Sequence, residues 1–234
     1  MSDRAFLTSL RLSDSFLPVG TYTASYGVEQ YVNDGRIETA PELGDLIAAY
    51  LERIVGPADT VALGNAHGAA TTDHARLFAV DERLHAATLP AEFRESSTKA
   101  GTQLLGLLGE AELFDGVETT DAATAYLEAV EDGRTPGHYP VALGVVTRCA
   151  GIDRQEAALI NAYSFTTELL GAAQRLGCFG HTAIQRQLSR LLSVIESVCT
   201  EYADRPLAEL SSFGPLAEIM GMSHERADRR LFMS

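Results

Sequence analysis

The chain has 234 residues, of which 46% are hydrophobic, and its 32 Asp and Glu against 18 Lys and Arg give a formal net charge of -14. A chain of this length buries roughly 70% of the surface it exposes when unfolded, so it can build a core without disulfide or metal staples. The charge excludes nucleic acid as a partner, since no basic stripe exists to displace counterions from phosphates.

A single lysine, Lys99, stands among seventeen arginines. With so acidic a balance, the composition predicts a halophilic-type surface whose self-repulsion is screened by concentrated salt. The three cysteines, Cys149, Cys178 and Cys199, are odd in number and lack Cys-x-x-Cys spacing, which reads as reduced core thiols. Met1-Ser2-Asp3-Arg4 leads into an amphipathic segment without a basic-then-apolar leader, and no apolar run approaches eighteen residues. The expectation is a soluble cytoplasmic protein with no membrane partner.

Taken in chain order, the first punctuation is Pro18-Val19-Gly20. Proline fixes its own dihedral and glycine frees the next turn, which predicts that Tyr22 starts a helix containing Ser25, Tyr26 and Glu29. Tyr22 and Glu29, seven apart, then share a face. An aromatic with a polar tip beside a turn is a common interface anchor, whereas Gly20, Ser25 and Gly27 read as a packed turn and helix start. Leu43, Leu46, Ile47, Tyr50, Leu51, Ile54 and Val55 follow helical spacing, and Gly56-Pro57 is expected to end that helix. His67 and His74 are separated by Gly68 and by Thr71-Thr72-Asp73, which predicts a helix break and two solvated surface histidines.

Further breaks fall at Asp34-Gly35, Leu89-Pro90, Asp115-Gly116 and Pro206. The longest irregular connection, Gly133 to Pro140, is a candidate hinge between halves. Val141 to Val146 is too short and isolated to build a sheet. Ala157 to Ala173 carries one charge, Glu168, and is apolar or small on every side, as a central helix wrapped by others would be. Cys178-x-x-His181 has ligand chemistry suited to a thiophilic ion, but it lacks a second pair, and its flanking glycines make a tight turn the simpler purpose. Ile184, Leu188, Leu191, Leu192, Ile195, Val198, Cys199 and Tyr202 form another amphipathic helix. Met220, Met222 and His224 could offer soft ligands, yet a thioether is a weak ligand for a divalent ion, and core or interface packing is the better reading. The fold expected is all-α: one domain over residues 1–234, with about ten helices around a central apolar helix.

Phosphate-loop, nucleophile-elbow and zinc-helix patterns are absent, which argues against an enzyme and against nucleotide hydrolysis by this chain. Function is written instead in the tail. Three of the last nine residues are arginine, and Leu231 and Phe232 would be exposed unless something covers them. Residues 223–234 therefore read as a docking segment.

His224-Glu225, a short spacer, then Arg230-Leu231-Phe232 and a final Ser234 resemble the ending of the UreF family of urease accessory proteins. Leu17 to Glu29 is similar to that family's amino-terminal signature through Pro18, Gly20, Tyr22, Ser25, Gly27 and Glu29. Weaker matches lie at Gly101 to Leu105, His138 to Gly144 and Gly180 to Leu188. The resemblance implies an all-helical, usually dimeric, non-enzymatic scaffold that binds UreD (UreH) and with it recruits the GTPase UreG to deliver nickel to apo-urease. It implies no tightly bound cofactor, the nickel being handled by the complex. It also assigns Tyr22 and Arg230 to GTPase recruitment, while Leu231 and Phe232 are expected to dock the tail. The chain departs from the family pattern at Thr21 to Ala24, Ser223 and Asp228-Arg229. Two rival readings are a nickel-storing chaperone acting alone and a helical enzyme whose cofactor pocket is lined by residues 157–173.

Overall fold

The computed structural model describes residues 2–20, 25–109, 114, 117–226 and 231–232. Among these residues there are eleven α-helices, one π-helical segment and one 3-10 turn, with no strand. No described helix is long and apolar enough to cross a membrane.

The core forms around α9 (Arg154–Arg175), which opens on a reciprocal capping box between Asp153 and Glu156 and has no fully exposed residue. It does not occupy the interior alone. Helix α4 (Val61–Ala69) buries eight of its nine residues, and α8 (Tyr139–Cys149) buries every residue from Pro140 to Thr147, so neither has a broad solvent face. Three buried helices thus replace the single central one expected. His67 is among the buried residues, its Nε2 lying 2.9 Å from the Ile152 carbonyl, and burial holds its pKa down. The predicted break after it is present and His74 is exposed, but His67 is a core histidine, not a solvated one.

Glycines set how closely these helices approach. A Cβ on Gly144 of α8 would lie 2.6 Å from the Leu63 carbonyl oxygen of α4, and one on Gly101 of α6 (Ala91–Gly109) would meet the backbone of Gly137 and His138. The segments 101–105 and 138–144, far apart in sequence, therefore touch backbone to backbone.

Helix α3 (Ala40–Tyr50) begins at a capping box between Thr39 and Glu42, but it does not end at Gly56-Pro57. It continues as the π-helical segment Leu51–Thr60 directly into α4. Pro57 has no N–H to give the helix ladder, and the Arg53 carbonyl, four residues before it, is bonded from outside the helix. That carbonyl accepts the Phe213 N–H at 3.2 Å, and the Pro57 carbonyl accepts the Ser211 N–H at 3.1 Å. The break is absorbed by a wide turn plus a neighbouring strap. Gly56 leaves room for Val198 and Tyr202 of α10 (His181–Tyr202), each 2.7 Å from where a Cβ would stand.

The candidate hinge at 133–140 is fastened to the core. Asp81, fully buried on α5 (His74–Ala87), accepts hydrogen bonds from the Tyr126 and Thr135 hydroxyls and from the Gly137 and His138 N–H groups. Four donors on one carboxylate make this a fixed strap. Of the cysteines, Cys199 is buried and Cys149 partly so, whereas Cys178 is exposed because its turn lies at the surface.

Gly144→Ala should destabilise the chain by about 2 kcal/mol or more, since the added methyl meets backbone that cannot move aside cheaply. Urea unfolding monitored by circular dichroism checks this; an unchanged midpoint would show that α4 and α8 are not packed this tightly.

Candidate partner-binding site

The amino-terminal signature is built as two left-handed turns. Gly20 (φ 81°) and Gly27 (φ 80°) adopt dihedrals that favour glycine, and Tyr26 between them is the one described non-glycine residue with positive φ (47°). Ser25, buried, lies before the helix, and its carbonyl accepts the Val28 N–H at 2.9 Å. The helix expected to contain Ser25 and Tyr26 thus begins only at Val28, as the short α2 (Val28–Asn33) capped by Gly27. The reason is Tyr26: its ring packs 5.0 Å from Phe93 and 5.1 Å from Phe165, and its carbonyl accepts the Tyr50 hydroxyl at 2.6 Å. These contacts hold a backbone conformation that a helix could not.

Gly27 has a second purpose. A Cβ there would sit 3.3 Å from the Gly221 nitrogen of α11 (Pro215–His224), and a Cβ on Gly221 would press on the Phe93 ring at 2.8 Å. The two glycines let α11 settle between α2 and α6. His224, at the end of α11 and 1% exposed, is thereby placed between two acids. Its Nε2 lies 3.1 Å from Glu29 Oε2 and its Nδ1 2.9 Å from Glu92 Oε2. Both contacts are hydrogen bonds at once when both ring nitrogens carry a proton. Next door, Glu225 Oε1 accepts the Glu92 backbone N–H at 3.1 Å, satisfying an amide in the first turn of α6.

The tail closes on the same carboxylate. The Leu231 N–H donates to Glu29 Oε1 at 2.8 Å and the Phe232 N–H to Glu29 Oε2 at 3.1 Å. Burial alone would push the Glu29 pKa up, but the Leu231 amide, His224 and the Phe232 amide outweigh it and hold that pKa below the usual 4.5. Phe232 is buried, with the Arg175 guanidinium 4.9 Å from its ring centroid. Leu231 is docked by its amide only; its side chain is exposed. Glu29, His224, Glu225, Leu231 and Phe232 are therefore one cluster, and Gly27 is what lets it assemble. Pro18 and Gly20 form the turn leading toward it. Tyr22 and Arg230 lie outside the described residues. Glu92 and Arg175 escape sequence reasoning: an acid in a first helical turn and a base in a last one are ordinary helix-end residues.

Beside the cluster runs a cleft of about 370 Å³ bordered by Tyr139, Tyr163, Glu168 and Arg175. Helix α9 lines it through Tyr163, Ser164, Thr167, Glu168, Gly171 and Arg175. Tyr139, Ser164 and Glu168 are shared with a chamber of about 30 Å³ that reaches Asp59 and Tyr26. Burial pushes the Asp59 pKa up to about 7. His85 Nδ1 and His138 Nε2 lie 2.9 Å apart on the far side, and burial, then His85, pushes the His138 pKa down to about 3. Among the described residues no group of three or more His, Cys, Asp or Glu side chains could hold a metal ion. At the Cys178 turn, His181 is bonded to Gln174, 2.9 Å from its Nδ1.

The family model described as UreF matches residues 37–192. The chain is 32% identical over 227 residues to the urease accessory protein UreF of Trichodesmium erythraeum, covering 97% of this chain and 95% of that protein. It is 30% identical to the protein of that name from an Arthrobacter species, covering 96% and 95%, and 27% identical to urease accessory protein UreF 1 of Brucella melitensis, covering 96% and 91%. The model match stops short of both terminal signatures, whereas the pairwise similarities extend over nearly the whole chain.

The depressed pKa of Glu29 fixes a sign. Its stabilisation is present in full above the ordinary value of 4.5 and is lost as pH falls through the lower folded value. The protection of the Leu231 and Phe232 amides, taken relative to unstructured amides at the same pH, should therefore be high at neutral pH and fall in acid, and amides already unprotected at pH 7 would contradict the cluster. Asp59 has the opposite sign: its folded pKa is raised, so stability is lost as pH rises from about 4 to about 7. Asp59→Asn should flatten that slope and add roughly 1–3 kcal/mol at pH 8, measured by denaturant titration of both proteins across the range.

Proposed function

Because the chain belongs to the UreF family of urease accessory proteins, we propose that it is a scaffold for nickel insertion into apo-urease. In this reading it binds UreD (UreH), with which it recruits the GTPase UreG, and its contribution is positioning. The observation that carries the reading is the junction of the two terminal signatures at Glu29 and His224, 3.1 Å apart. It brings the start of the docking segment to the segment that follows Tyr22, which supports the reading that Tyr22 and Arg230 act as one recruitment surface.

Apolar surface supports a life in complexes. Phe6, Leu7 and Leu10 are exposed on α1 (Asp3–Leu12), and Phe213, Leu216, Ile219 and Met222 on or beside α11. Patches of this kind mark surfaces that partners cover, and UreD and a second copy of the chain are the proposed occupants. Nickel is cargo of the assembled complex. The cleft and the small chamber on the other side of Tyr139 and Glu168 place a few oxygen-bearing side chains, Glu168 and Asp59 among them, along a path an ion could follow. A lone nickel chaperone would need a dense set of ligands of its own. An enzyme reading draws on the raised pKa of Asp59, a property shared by general acids and by structural carboxyls.

Tyr22→Ala and Arg230→Ala should each weaken GTPase capture by roughly 2 kcal/mol or more, while helicity and UreD binding stay at wild-type levels. Deleting residues 229–234 should reproduce the defect. Pull-down with UreD and UreG, followed by nickel analysis of urease, reads all three variants. Normal recruitment and normal urease activation by both point variants would place the recruitment surface elsewhere.

A further inference from the structure

Glu29 stands in the amino-terminal half of the chain, yet its carboxylate spends both oxygens on the far end. Oε1 takes the Leu231 N–H, and Oε2 takes the Phe232 N–H and the His224 ring. These are charge-assisted bonds to a group that is 5% exposed, so water competes poorly for it. Two consecutive amides converging on one carboxylate define the path of the backbone, whatever side chains the tail carries. Leu231 illustrates this, since its amide is bound while its side chain faces outward. Beneath the carboxylate, His224 is held from its other side by Glu92. Phe232 is held under Arg175 of α9. The tail is thus gripped from α2 and α9.

We propose that Glu29 is a positioning residue for the recruitment surface: its carboxylate captures the backbone at Leu231 and Phe232 and so fixes where the preceding Arg230 is presented. This rests on the reading that Arg230 contacts the GTPase. Glu29 itself need touch no partner. A protein whose tail is docked only part of the time binds its partner with an apparent Kd raised by the inverse of the docked fraction. Saturating partner should then restore the full complex. The grip acts on main chain, so it tolerates departures such as Asp228-Arg229 in the residues just before it.

The test uses the full chain with UreD. Glu29→Gln keeps the shape but replaces one acceptor oxygen by a donor. Amide exchange at Leu231 and Phe232 should approach the rate of unprotected amides, and the Kd for the GTPase should rise about tenfold as the docked fraction falls to about a tenth, with the same stoichiometry reached at saturation. If that buried substitution fails to fold, Leu231→Pro removes one of the two amide donors at an exposed side chain, and the remaining Phe232 amide should exchange faster while the Kd for the GTPase rises. Tail amides that stay protected in Glu29→Gln, or a GTPase affinity unchanged while they are freed, would overturn the assignment. Arg230→Ala separates the two ideas: if it binds the GTPase normally, the recruitment reading fails, whereas the exchange data still decide whether Glu29 holds the tail.

Discussion

One buried carboxylate ties the amino-terminal signature to the carboxyl-terminal residues of this chain. Glu29 could not remain ionised at 5% exposure without donors, and the donors available to it are an imidazole and two amides from the last eleven residues. Removing any of them leaves a charge with too few partners inside the fold, which is among the costlier defects a core can carry. The dependence runs both ways. Among the described residues, 231–232 are held by this carboxylate, some two hundred positions earlier in the chain, and by the Arg175–Phe232 contact.

Packing makes that geometry reachable. Gly27 and Gly221 bring α2, α6 and α11 close enough for Glu29 and Glu92 to reach the two nitrogens of His224. Gly101 and Gly144 bring α4, α6 and α8 together in the interior. Asp81 fastens the 133–140 connection so that α8 enters the core at a fixed place. The scaffold is rigid where backbone meets backbone, and exposed apolar residues cluster on α1 and on α11.

Legibility in the sequence followed the physics of each segment. Helix α10 has a buried stripe and a wet face, so its spacing shows at once; α9 shows through its lack of charge. Helices α4 and α8 are buried on nearly every side, which erases amphipathic periodicity, and the His67 environment was hidden with it. Pro57 is a sound stop signal locally, but Phe213, 156 residues away, supplies the hydrogen bond that lets the helix pass. The terminal motifs were visible as motifs, and Glu29, His224 and Phe232 were singled out. Their meeting was not visible, because Tyr26 holds a left-handed turn where helix was expected and because Glu92 carries no mark beyond its place in a first turn.

If the two ends of the chain are one device, Glu29 acts through the tail it holds. A double-mutant cycle between Glu29→Gln and Arg230→Ala, read as affinity of the UreD-bound protein for the GTPase, tests this most directly. If Glu29 works by presenting Arg230, the double variant should bind about as weakly as the weaker single variant, the losses falling well short of their sum. Losses that add in full would mean that the two residues contribute independently, and the single-device account would be wrong.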